Sequence, residues 1–122
     1  MTNRNSSSAA LTDAKEIVLS CIKALNDERF DDARTYVADH FTFSGVLGSR
    51  NGAEEYFSDM KKMKLKYRIK KTFVDDDDVC LFYDLNMSGV TIFGCGWYHL
   101  EEGQISSLKV IFDPRPLLAH KS

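Results

Sequence analysis

The sequence predicts an α+β fold: a curved antiparallel sheet, made of a first short strand and a four-strand meander, wrapped around three helices of the N-terminal half. Three observations predict it. Residues 90–100 and 104–113 are runs of β-branched and aromatic residues, and Glu101, Glu102 and Gly103 between them make the short turn of a long hairpin. Upstream, apolar residues recur instead at three- and four-residue spacing, the period of a helix. Every element is apolar on one side only, so helices laid against one face of a single sheet are the economical packing.

The elements follow in order. Residues 1–10 are polar and serine-rich and read as a disordered tail, with residues 11–122 as one domain. Thr12 caps a helix whose buried face is Ala14, Ile17, Val18, Cys21, Ile22 and Leu25. A second short helix starts near Phe30, with Asp31 and Asp32 in its first turn and Ala33 and Val37 facing inward. Residues 40–44 form a short strand, ended at Gly45 and followed by a loop through Gly48 and Gly52. Asn51, with Glu54 three residues on, matches a capping box for a third helix, whose apolar side is Tyr56, Phe57, Met60 and Met63. Residues 65–74 form a strand with Tyr67, Ile69 and Phe73 on one face and Lys66, Arg68 and Lys70 on the other. After an acidic turn at residues 75–78, Val79, Leu81, Tyr83, Leu85 and Met87 alternate along the next strand. Ser88 and Gly89 then turn into the long hairpin, and Pro114 stops its second strand because proline cannot continue a ladder.

Composition excludes several classes of function. The 122 residues carry a net charge of -2 and 43% apolar residues. That suits one domain with a sizeable core, and no basic excess directs it to nucleic acid or to an anionic membrane. No apolar run approaches the ~20 residues that span a bilayer, and the first residues lack the apolar segment of a secretory signal. Cys21, Cys80 and Cys95 are odd in number and widely spaced, so they read as reduced buried thiols, and the expected location is cytoplasmic. No metal and no cofactor is expected. The four aspartates at residues 75–78 cannot all converge on one ion from a turn, and the lysines of the 65–74 strand read as its wet face.

The functional clue lies in the hairpin. Ile92, Gly94, Gly96 and Tyr98 share one face of its first strand, while Phe93, Cys95, Trp97 and His99 share the other. Glycine within a strand often marks a close approach, and two on one face suggest an open space against the sheet. The pocket expected there is lined by Phe43, Tyr56, Phe57, Met60, Tyr67, Leu81, Tyr83, Gly94, Gly96, Leu108, Val110 and Phe112. The opposite face carries Phe93, Cys95, Trp97 and Ile111, apolar where a solvated face should be polar. A homodimer through that face is the expectation.

The element order, the runs YVADHFTF at 36–43, NGAEEYF at 51–57 and GWYHLEEGQI at 96–105, and the Phe112, Asp113, Pro114 ending resemble the SnoaL-like branch of the nuclear-transport-factor-2-like superfamily. The resemblance runs from about residue 11 onward. It implies an α+β cone with a ligand-sized internal cavity, often in a homodimer. Members include ketosteroid isomerase, polyketide cyclases, limonene-epoxide hydrolase and many binding proteins, so function rests on the site rather than the fold. Laid along the ketosteroid isomerase pattern, the general-base aspartate falls on Gly45, the protonated aspartate on Gly96 and the tyrosine partner on Cys21. None of the three supplies the needed group, so steroid isomerisation is not expected. No aspartate–arginine–aspartate set of the epoxide hydrolases is matched around Gly94 and Gly96.

Tyr83, His40 and Asp113 remain as candidate acids or bases. The leading expectation is a small apolar-ligand binding protein. The alternatives are an isomerase, cyclase or hydrolase acting on a hydrophobic cyclic or polyketide-like substrate, and a protein-interaction module with a packed cavity. The expected partners are a small apolar molecule and a second copy of the chain, with no nucleic acid and no membrane.

Overall fold

The computed structural model describes residues 13–120. The tail expected at residues 1–10 and the cap expected at Thr12 lie outside these residues. The first helix, α1, spans Ala14–Asn26, and its cap is Asp13, whose carboxylate accepts the Glu16 N–H at 2.9 Å. It buries Ile17, Val18, Cys21, Ile22, Ala24 and Leu25. At its end the Asn26 side chain donates to the Tyr67 carbonyl at 2.9 Å and accepts the Tyr67 N–H at 2.7 Å. That amide clamp ties the helix to the sheet edge.

Helix α2, Phe30–Arg34, is shorter than expected. Val37 is buried, but it opens strand β1, Val37–Ser44, rather than closing the helix. The following loop holds a strand the sequence pattern did not suggest: β2, Ser49–Asn51, pairs antiparallel with β1. This pairing displaces the expected cap. Asn51 is held opposite Thr42, and the chain turns into helix α3, Ala53–Met63, at Gly52 with φ of 97°. A left-handed turn of that kind suits glycine. Glu54 therefore reaches Arg34 at 3.4 Å, while Glu55 accepts the Asn51 N–H at 3.3 Å.

Strands β3, Lys66–Asp75, β4, Asp78–Met87, β5, Val90–Glu101, and β6, Gln104–Phe112, form the expected antiparallel meander. The six strands lie in the order β2-β1-β6-β5-β4-β3. Strand β1 pairs with β6 in parallel, so the sheet is mixed rather than wholly antiparallel. Its backbone thereby covers an edge that the meander would leave open. Helix α4, Arg115–His120, follows Pro114.

One register shift reshapes the sheet. Tyr67 pairs with Leu85 and Ile69 with Tyr83, but Lys71 pairs with Phe82, leaving Lys70 as a bulge. Alternation restarts with the opposite sign. Phe73, expected beside Tyr67 and Ile69, consequently faces outward, 53% exposed, its ring edge-on to Phe82 at 5.9 Å. The core fills the space between the inner face of the sheet and the helices, with Tyr83, Phe41, Ile22 and Leu81 among its most buried side chains. Among the described residues no helix is long and apolar enough to cross a membrane.

Candidate functional site

A cavity of about 320 Å³ opens between the sheet, helix α3 and the β1–β2 tip. The sheet contributes Phe43 from β1, Tyr67 from β3, Tyr83, Leu85 and Met87 from β4, and Leu108, Val110 and Phe112 from β6. Helix α3 contributes Tyr56, Met60 and Met63, which lie one turn apart or nearly so on one side. Val46 and Leu47 at the tip stand half to largely exposed at the mouth. The volume sits at the lower end of the range in which small-molecule pockets are found, ~300–1,000 Å³.

Of the pocket residues expected from the sequence, Phe43, Tyr56, Met60, Tyr67, Tyr83, Leu108, Val110 and Phe112 line this cavity. Phe57, Leu81, Gly94 and Gly96 do not. Phe57 is buried in the core, its ring edge-on to Tyr56 at 5.4 Å. Leu81 has no exposed surface and comes earlier in β4 than the Tyr83, Leu85 and Met87 that form the wall. The glycines do not face open space. A methyl on Gly96 would meet Tyr98 Cε1 at 3.0 Å, the Tyr83 hydroxyl at 3.1 Å and Leu108 Cδ1 at 3.3 Å. One on Gly94 would meet the Ile111 carbonyl and Phe112 Cβ, both at 3.2 Å. The glycines make room for tyrosine rings, and those rings occupy the space expected for a ligand.

The interior is a tyrosine cluster. Tyr67 and Tyr83 meet edge-on at 5.1 Å, Tyr56 packs on Phe41 at 4.8 Å, and Tyr98 lies buried beside Gly96. Burial pushes the hydroxyls of Tyr56, Tyr67, Tyr83 and Tyr98 well above the ordinary tyrosine range, with their mutual proximity adding to it. They are neutral proton donors and acceptors at any physiological pH. Burial likewise pushes the Cys21 thiol up to about 12, and its Sγ contacts the Ala33 carbonyl at 3.7 Å.

Of the candidate acids and bases, only Tyr83 reaches the cavity. His40 is largely exposed on β1, its Nε2 at 3.4 Å from Glu101. Asp113 is exposed and gripped by Arg115, whose guanidinium holds that carboxylate below its usual range. His40 lies on the outward side of β1, and Asp113 lies just past the end of β6, so neither lines the cavity. The sequence reading missed the polar mouth. Arg50 Nε donates to Asp59 at 2.6 Å and its Nη1 to the Ser49 carbonyl at 2.8 Å, with Lys62 close by on α3. Asp59 follows Tyr56 by three residues, a spacing that already placed it toward the same side.

The outer face carries its own contacts. Asp78 accepts from Trp97 Nε1 and from His99 Nδ1, both at 2.8 Å, and these bonds hold its carboxylate below the usual range. Cys80 and Cys95 are half-buried here rather than in the core, with sulfur atoms 3.3 Å apart. Burial and the Cys80 contact raise Cys95 to about 11. All three cysteines are free. Lys66 and Lys70 are paired with Glu28 and Asp84. Among the described residues no group of three or more histidine, cysteine or acidic side chains is arranged to hold a metal ion.

Comparison with curated proteins gave no match. Among solved structures, an NTF2-like protein of unknown function from Cytophaga hutchinsonii is 51% identical, with a TM-score of 0.86 over 88% of this chain and 96% of that one. An LEH-like epoxide hydrolase of M. tuberculosis is 19% identical, with a TM-score of 0.78 over 90% of each chain. An epoxide hydrolase/cyclase-like enzyme of pyran ring formation in polyether salinomycin is 20% identical, with a TM-score of 0.75 over 84% of this chain and 92% of that one. At those two identities the likeness is one of fold. The family model for the SnoaL-like domain matches residues 18–108, three quarters of the chain, and with the sheet, the helices and the cavity in their places the chain belongs to the SnoaL-like, NTF2-like family.

Proposed function

We propose that this protein binds a small, largely apolar molecule in the tyrosine-walled cavity. One observation carries the reading: the inner wall offers aliphatic and aromatic surface and neutral hydroxyls, while its carboxylate, Asp59, is at the mouth and already paired with Arg50. General acid–base catalysis needs a group whose pKa lies near the working pH, and buried tyrosines held far above it do not supply one. Steroid-enone isomerisation is therefore expected to stay at the solvent rate. The enzyme reading keeps one foothold, since the Tyr83 hydroxyl can donate a hydrogen bond to a carbonyl oxygen.

Titration with the neutral dye N-phenyl-1-naphthylamine tests the proposal. The dye is expected to brighten on binding, and Met60→Trp, which fills the cavity from α3, to weaken binding at least tenfold with the fold unchanged by circular dichroism. Absence of dye binding by the native protein would refute it. Turnover of an epoxide or enone that is lost in Tyr83→Phe would instead establish the enzyme reading.

The working form we propose is a homodimer in the cytoplasm. Phe93, Trp97 and Ile111 are 56%, 47% and 71% exposed on the outer face, which supports a partner there. Three free thiols, two of them in contact, suit a reducing compartment.

A further inference from the structure

The mouth of the cavity has a chemistry different from its walls. Arg50 spends Nε on Asp59 and Nη1 on the Ser49 carbonyl, and its Nη2 has no partner among the described residues. Lys62 borders the same opening with its ammonium likewise unpartnered among them. Among the described residues Asp59 is the single carboxylate on the lining, and one arginine neutralises it, so the opening they form carries a surplus positive charge. Below it lie Tyr56, Met60 and Tyr83, which present no charge at all. A neutral ligand would leave the two cationic donors unused. An apolar body ending in an anion would use both halves of the site, because charge-assisted hydrogen bonds at a partly desolvated rim are stronger than neutral ones.

We infer that the ligand is an amphipathic carboxylate, with its apolar body against the tyrosines and its carboxylate at the mouth between Arg50 and Lys62. The inference rests on the cavity being a binding site and adds the class of molecule it takes. Arg50 is the directional donor through its remaining guanidinium edge, and Lys62 is the mobile charge that closes over the bound oxygen atoms. Leu47 and Met63, exposed at the opening, cover the part of the body nearest the carboxylate. The preference should fall as salt is raised, since the pair sits at the solvent boundary.

The experiment is displacement of N-phenyl-1-naphthylamine by three probes with the same ten-carbon chain: decanoate, 1-decanol and decyltrimethylammonium. All are kept below their micellar concentrations at neutral pH. Decanoate is expected to displace the dye at concentrations at least fivefold lower than decanol, with the cation weakest. Lys62→Gln should narrow the decanoate-to-decanol ratio, and Lys62→Glu should invert it. Arg50→Gln should abolish the ratio, because it also leaves Asp59 unpaired at the opening. If decanol and decanoate displace the dye equally, the carboxylate inference fails while the cavity reading stands. Failure of the dye to bind refutes both. A preference for decanoate that survives Lys62→Glu and Arg50→Gln also overturns the inference, because the selectivity then comes from elsewhere.

Discussion

Gly94 pairs with Tyr83 on one side and Phe112 on the other, and Gly96 pairs with Leu81 and Val110, so both sit on a strand flanked on each side by another. At Gly96 the missing side chain is replaced by the rings of Tyr83 and Tyr98. Gly96→Val is expected to destabilise by about 1–3 kcal/mol, the cost of overpacking a core that cannot shift freely. Urea denaturation measures it, and the cost should be smaller in a Tyr83→Phe background, which removes the oxygen 3.1 Å from the new methyl. The glycines were visible in the sequence as a demand for space, but which group claims that space depends on the strand next door. The tyrosines predict a second behaviour. Their folded-state pKa values are raised, so each contributes stability that is fully present below the unfolded value of ~10 and is lost as pH climbs above it. Above that pH, stability should fall by about 1.4 kcal/mol per pH unit for each buried tyrosine. Tyrosinate absorbance near 295 nm should therefore rise together with loss of circular dichroism rather than before it. Ionisation of all the tyrosines in a still-folded chain would contradict the buried cluster.

At the scale of elements, the long helices and the central strands β4 and β5 were readable because each buries one face for its whole length, which imprints a clean period of 3.6 or 2. Three local features were not. The Lys70 bulge changes no residue type; it changes only which neighbour each residue faces, and that is a property of two strands. Strand β2 is three exposed residues with no pattern to read. The cap expected at Asn51 lost to the pairing of Asn51 with Thr42, a tertiary contact that overrides a local motif. The turns, by contrast, were legible. Ser88 and Gly89 both have positive φ, 54° and 83°, the tight turn that matches the twist of a hairpin. No described residue lies within 4 Å of a methyl built on Gly89, so Gly89→Ala should cost about 1 kcal/mol from backbone conformation alone. A shift in the urea midpoint with unchanged m-value is the signature to look for, and a neutral substitution would show that the turn can relax.

For the whole molecule, the outer face carries exposed apolar surface. Phe73 joins it through the bulge and stacks its edge on Phe82, which in turn lies 6.1 Å from Phe93. The apolar strip thus runs across β3, β4 and β5, further than the sequence pattern indicated. Helix α4 leaves Phe93, Trp97 and Ile111 exposed. Trp97 is partly satisfied by Asp78 and by the Lys109 ammonium 5.0 Å above its ring, so Ile111 is the cleaner residue to change. Sedimentation is expected to show a dimer at micromolar concentration, with Ile111→Glu and Trp97→Glu shifting it to a folded monomer. A monomeric native protein would end the dimer proposal.

Periodicity and composition were enough to establish the helices, the meander, its turns, the inner apolar face and the tyrosines that the cavity would carry, because each of these is a property of one segment against water. The cavity's position was decided elsewhere. Tyr83 and Tyr98 fill the centre of the sheet and push the open volume toward the β1–β2 tip and the end of α3. The mouth exists because Arg50, Asp59 and Lys62 converge there from β2 and α3, across a loop closed by strand pairing. A strand's own alternation says which way a side chain points. Whether it meets a ligand, a ring or a bulge depends on register with its neighbours, and register is an energy of contacts between segments that no single segment encodes.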